Sequence, residues 1–177
     1  IDCIWGCFSM DGREQLYRWA GPYMVSRQVV AVNADSGIET LADLAGKTMM
    51  VQSTTKPEEI FLGGTDPRIP QFGELLSAED RSVQYAMLNC GYVDAIAAHE
   101  TAILQYMQDC NADFRILEEP LLVTGIGVAF ALNDTRGLDE KLTETLAAMR
   151  ADGTLKQIVG KYLPDPEKYL EVDALEP

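Results

Sequence analysis

The strongest constraint on this chain is a regular alternation of short apolar runs, rich in branched side chains, with helical stretches of about ten residues. KTMMVQ (Lys47 to Gln52), VDAIAA (Val93 to Ala98), Phe114 to Leu117 and GIGVAFAL (Gly125 to Leu132) read as strands, with a weaker strand at Phe72 to Leu76. Branched and aliphatic side chains suit a pleated, covered surface. Between these runs, Ser77 and Asp80 resemble a capping box, and the helix that follows is expected to bury Val83, Ala86, Met87 and Cys90 before Gly91 stops it. Glu100 to Cys110 repeats the pattern with Ile103, Leu104 and Met107. Strands alternating with helices imply parallel pairing through right-handed crossovers, which is an α/β architecture.

The flanking segments fit this scheme. Arg27 to Asn33 (RQVVAVN) is a valine-rich strand, Thr40 caps a short helix that Gly46 ends, and Pro57 opens another helix after Ser53, Thr54 and Thr55. A long helix should carry Leu138, Leu142, Leu146 and Met149 in phase, and a last one Leu155, Ile158, Val159 and Tyr162 before Pro164. These stripes read as core faces. Ile1 to Phe8 already reads as a strand, so the chain starts inside an element and the sheet there is expected to be incomplete at its amino end.

Charge removes several functions. With a formal net charge of -14 there is no basic patch to displace counterions from a phosphate backbone, so nucleic acid is not an expected partner. No apolar run is long enough to span a bilayer. The cysteines (Cys3, Cys7, Cys90, Cys110) form no CxxC, and with a single histidine they offer no zinc-ligand set, so neither metal nor cofactor is expected. Cys3 and Cys7 would lie roughly 13 Å apart on one face of a strand, beyond disulfide reach, and read as buried free thiols. Cys90 and Cys110 each end a helix beside the Val93 to Ala98 strand and are expected to approach one another, with a disulfide as one outcome.

Five segments in order carry a resemblance: GCFSMDGRE with WAGPYM after it, SGIETLADLAGKTMMVQSTT, GYVDAIAAHE, GVAFALN and MRADGTLKQIVGKYL. Together they resemble the family 3 extracytoplasmic solute-binding proteins, receptors that deliver polar amino acids to ABC transporters. The resemblance implies a type II periplasmic-binding-protein fold, with two lobes of parallel-rich sheet joined by two hinge strands and a ligand trapped as they close. On this pattern residues 1–32 and 124–177 form a first lobe, incomplete at its amino end, and residues 33–123 a second. An open sheet edge on the incomplete lobe would invite self-association.

The same resemblance points to binding residues. Gly6 and Arg13 match the family's Gly-x-x-x-x-x-x-Arg segment, whose arginine binds the ligand's carboxylate; by spacing alone Arg13 would read as a solvated charge. Ser53, Thr54 and Thr55 precede a helix, where hydroxyls and unpaired N–H groups suit an anion or serve as a plain N-cap. Gln52 matches a position that often reaches toward ligand. Two departures stand out: Phe8 where the family has Ser or Thr, and His99 followed by Glu100 where it has the aspartate that pairs with the ligand's ammonium. Either Glu100 takes that role, or a neutral His99 accepts a hydrogen bond from a less basic group, or His99 is a surface cap.

The expected function is therefore binding without turnover: an extracytoplasmic receptor for an amino acid or related carboxylate that partners a membrane ABC transporter. The same fold also implies a membrane sensor's ectodomain or, less directly, a dehydratase-like enzyme. Against an enzyme, no nucleophile, base and orienting group fall together in the sequence.

Overall fold

Burial on both faces explains why the strand runs in the middle of the chain are almost uninterruptedly apolar. The computed structural model describes residues 1–175 and separates into two compact units: one is Arg27–Leu122, the other is Ile1–Ser26 with the chain from Val123 onward.

In the unit 27–122, β3 (Thr48–Gln52) lies between β4 (Glu74–Ala78) and β5 (Ala95–His99) and runs parallel to both. The later half of β2 (Arg18–Asn33) pairs antiparallel with β5 and with β6 (Phe114–Ile116). Alternate residues serve opposite faces. Val29, Ala31, Met50, Ile96 and Ala98 pack under α2 (Arg81–Asn89) and α3 (Glu100–Cys110) through Tyr85, Leu88 and Ile103. Val30, Val32, Met49, Val51, Ala95 and Ala97 pack on the other face with Ile38, Leu41 and Leu44, flanked by Ile60 and Phe61 of α1 (Lys56–Gly63). Because residues 29 to 32 belong to these cores, this unit begins earlier in the chain than the break expected after residue 32.

Several local expectations are corrected. Helix α2 buries Gln84, Tyr85 and Leu88, while Val83, Ala86 and Cys90 are exposed. Its cap is Asp80 alone, which accepts the Ser82 N–H at 2.8 Å; Ser77 lies inside β4. β4 starts at Glu74, not Phe72, and is preceded by Gly73, which is pressed against the Gly46 carbonyl so that a Cβ there would lie 2.5 Å from the oxygen. Thr40 does cap its segment, which is a four-residue 3₁₀ turn, Leu41–Leu44. Cys90 and Cys110 are free and exposed thiols at helix ends, so the disulfide considered as one outcome of their approach is not formed.

In the other unit, β1 (Ile4–Ser9) pairs antiparallel with β7 (Leu122–Phe130), Trp5 opposite Val128. β7 packs closely on the first half of β2: a Cβ on Gly127 would stand 3.0 Å from the Ala20 carbonyl. Ala20, Val128 and Phe130 form the core, covered by Leu142 of α4 (Leu138–Ala151). Leu155 and Val159 of α5 (Thr154–Val159) are buried, whereas Ile158, Tyr162 and Leu138 are not. On β1, Ile4, Trp5 and Cys7 are exposed, so Cys7 is not the buried thiol expected; Cys3, ahead of the strand, is half-buried.

Candidate functional site

Strand register assembles the most polar interior of the unit 27–122. Gln28 on β2 stands directly opposite His99 on β5, which puts both side chains on one face. The Gln28 Nε2 lies 3.1 Å from His99 Nδ1 and 3.2 Å from Nε2. Burial, and secondarily the Arg81 charge, hold the His99 pKa below its usual value, so the ring is neutral at neutral pH. Gln84 enters from the first turn of α2, and the β3–α1 junction brings in Gln52 and Thr55. With Arg81 at the rim, these side chains surround a cavity of about 30 Å³.

Two groups in this cavity lack the partners that buried amides require. Gln84 is 1% exposed, and neither its Oε1 nor its Nε2 makes a hydrogen bond among the described residues. Gln28 is 2% exposed, and its Oε1 is likewise unpaired. Groups in this condition cost folding free energy unless something else satisfies them.

A wider groove of about 630 Å³ adjoins it, lined by Glu79, Asp80, Arg81, Tyr85, Tyr106 and Asp109 among others. Its carboxylates are partly spent on structure: Asp80 caps α2, and Asp109 accepts the Gln105 amide at 2.8 Å.

Of the residues singled out in the sequence, Gln52, Thr55 and His99 meet at the cavity. Ser53, Thr54 and Glu100 do not line it. The N–H groups expected to be open at 53–55 are partly consumed: that of Ser53 donates to the Ala78 carbonyl at 2.9 Å, and that of Thr54 to the Glu58 carboxylate at 2.6 Å. Glu58 thus stands where an anion was expected. Thr55 uses its hydroxyl to donate to the Gln52 carbonyl at 2.6 Å, and Gln52 donates its amide to the Glu79 carbonyl at 3.0 Å. Thr54 is held at φ 61°, a left-handed conformation that branched side chains rarely adopt. Glu100 begins α3 rather than ending β5; its carboxylate is buried and faces Arg27 Nε at 3.4 Å, so it is committed to an internal ion pair.

Gly6, Phe8 and Arg13 belong to the other unit. The Gly6 carbonyl accepts the Tyr23 hydroxyl at 2.7 Å. Phe8 stacks on Trp19 at 5.4 Å and meets Tyr17 edge-on at 5.5 Å. Arg13 lies in the turn after β1 with its guanidinium 5.0 Å from the Phe8 ring centre, donating through Nη1 to the Ser9 carbonyl at 3.2 Å. Trp19 Nε1 in turn donates to the Arg13 carbonyl at 3.2 Å. Arg13 is therefore a half-buried arginine whose guanidinium rests on the Phe8 ring and the Ser9 carbonyl, not a freely solvated charge.

Sequence reasoning missed Gln28, Arg81 and Gln84. The available signal was on α2: Gln84 shares a face with Tyr85 and Leu88, and a glutamine on a buried stripe is out of place without a polar task.

Over residues 1–165 the sequence matches the family described as bacterial extracellular solute-binding proteins, family 3. The chain belongs to that family. Among known proteins, it is 27% identical over 182 residues to the glutamate-binding protein GluB of Corynebacterium glutamicum, covering 97% of this chain and 59% of that protein. It is 32% identical over 145 residues to the histidine-binding periplasmic protein of Salmonella typhimurium, covering 77% of this chain and 54% of that one. The chain thus spans somewhat over half the length of these relatives. Among solved structures it superimposes on the arginine-, lysine-, histidine-binding protein ArtJ of Geobacillus stearothermophilus with a TM-score of 0.75 at 26% identity, covering 93% of this chain and 70% of that one. The fold is that of the type II periplasmic binding proteins.

Proposed function

We propose that this family 3 protein binds an amino acid or a closely related small carboxylate outside the cytoplasm and presents it to a membrane ABC transporter, without chemical turnover. The observation that carries the reading is the convergence of Gln52, Thr55 and His99 on one polar cavity, in a chain whose relatives are amino-acid-binding proteins. Neutral amides, a hydroxyl and an imidazole can orient a ligand, but they include no nucleophile with its own base. Arg13 is the expected carboxylate partner: a guanidinium offers a planar fork of donors, and its contacts with the Phe8 ring and the Ser9 carbonyl lower the entropy lost on binding.

Two measurements test this reading. A thermal-shift screen of the purified protein against the amino acids and small carboxylates should yield at least one ligand that raises the melting temperature, since a ligand bound only by the native state stabilises it. Arg13→Ala should weaken binding of that ligand roughly ten- to a hundredfold, as loss of a charge-assisted contact does, while lowering the unliganded melting temperature by no more than a few degrees through the lost contacts with Phe8 and the Ser9 carbonyl. No stabilising ligand in the screen, or full affinity in Arg13→Ala, would refute the receptor reading or its carboxylate contact respectively.

A further inference from the structure

We infer that the cavity formed by Gln28, Gln84 and His99 receives a neutral primary carboxamide, so that the ligand is a small acid bearing an amide head, such as L-glutamine or L-asparagine. This deepens the receptor reading and rests on it.

The argument begins with the atoms left open. Gln84 presents one unpaired carbonyl oxygen and one unpaired NH₂, and Gln28 presents one unpaired carbonyl oxygen, while its NH₂ is directed at His99. That gives two acceptors and one donor group. A primary carboxamide is the complement: its NH₂ carries two donors, one for each glutamine oxygen, and its carbonyl accepts from Gln84 Nε2. Rotating the Gln84 amide about its last bond exchanges its two atoms, and rotating the Gln28 amide to accept from the other His99 tautomer exchanges an open oxygen for an open NH₂; in each case donors and acceptors both remain open, and a carboxamide pairs with both. The cavity is small: about 30 Å³ is the share of one water in the liquid, so it admits only the end of a polar head and no larger group.

Charged heads fit poorly. An ammonium would lack a counter-charge, since no carboxylate lines the cavity among the described residues, Glu100 is held by Arg27, and Arg81 at the rim adds repulsion. It would also leave the Gln84 NH₂ without an acceptor. A carboxylate would satisfy that NH₂ but set its charge against at least one glutamine carbonyl oxygen that then has no donor. Arg81 would attract it from the rim, but the charge of an exposed guanidinium is screened by water and gives that oxygen no hydrogen bond. His99, neutral and facing the Gln28 amide, brings no charge for either ion to use. A site built to hydrogen-bond a polar head rejects analogues that leave its buried groups unpaired.

Calorimetric titration of the purified protein with L-glutamine, L-glutamate, L-asparagine, L-aspartate and L-lysine tests the assignment. The expected result is that the amide of one isosteric pair binds roughly tenfold or more tightly than its acid, with lysine weaker than either. Gln84→Met keeps the side chain's length without its polar atoms and should abolish that preference. An acid that binds as tightly as its amide, tighter binding of lysine, or unchanged glutamine affinity in Gln84→Met would each overturn the amide assignment and leave the receptor reading standing. No binding by any of the five also overturns the amide assignment, and only an accompanying blank in the broader thermal-shift screen removes the receptor reading. The amide-to-acid ratio of the parent protein needs no variant, so the test holds even if Gln84→Met fails to fold.

Discussion

Replacing Gln84 by methionine should stabilise the unliganded protein while removing its ligand selectivity. The structure supplies the reason: both polar atoms of Gln84 are buried without a partner in the unit 27–122. A buried amide in that state costs about 1–3 kcal/mol relative to a hydrated one, and methionine fills nearly the same shape with no such demand. It also adds apolar contact on the face that already buries Tyr85 and Leu88. For a chain of this length each kcal/mol shifts the melting temperature by about 2–4 °C, so a rise of at least about 2 °C is expected in the absence of ligand. Differential scanning calorimetry of parent and variant, each with and without millimolar L-glutamine, gives both readouts. The parent should gain stability with glutamine and the variant should not, so the two curves cross. A lower melting temperature for unliganded Gln84→Met would mean that the native protein satisfies this amide, and the reasoning from unpaired atoms would fail.

Other consequences follow from single residues. Because the His99 pKa lies below 6.5 in the folded protein, the unfolded chain takes up this proton first; the contribution of His99 is fully present above about pH 6.5 and is lost as pH falls through and below it. His99→Gln should flatten that part of a melting-temperature profile recorded between about pH 5 and 8, and an unchanged profile would refute the assignment. Gly73→Ala should destabilise the protein by about 1–3 kcal/mol, seen as a lower urea midpoint, because its Cβ would lie 2.5 Å from the Gly46 carbonyl oxygen and backbone cannot easily yield. Thr54→Asn should stabilise the protein by up to about 1 kcal/mol, seen as a higher urea midpoint, since asparagine tolerates φ near 61° better than a branched side chain does; a loss of stability would show that the threonine side chain holds this turn.

The parts of the fold that were legible in the sequence are those where one periodicity had no competitor. The β3 and β5 runs sit in a sheet covered on both faces, so every residue contributes to one core or the other and the run reads as continuously apolar. Helix α2 was misread because its inward face pairs a glutamine with Tyr85 and Leu88, while Val83, Ala86 and Cys90 offered an equally apolar stripe that the tertiary structure leaves exposed. Hydrophobicity alone could not choose between two faces of a nine-residue helix. The error and the site have one cause: the residue that spoiled the apolar pattern is the one buried with its hydrogen-bonding capacity unused.

Side-chain pairing is what the linear sequence conceals most completely. His99 and Glu100 are adjacent, and either could have replaced the aspartate expected there. Ending β5 at His99 turns the next residue into the first of α3, buries its carboxylate against Arg27, and leaves the imidazole opposite Gln28. One position in the strand register thus decides whether this part of the cavity carries a negative charge. A cavity with a carboxylate would select a cation, whereas one with an imidazole and two amides selects a neutral head that both donates and accepts hydrogen bonds. His99→Asp tests that argument at its source. Placing a carboxylate opposite Gln28 should shift the calorimetric preference away from glutamine and toward lysine, and a variant that still ranks glutamine first would show that the charge at this position does not set the specificity.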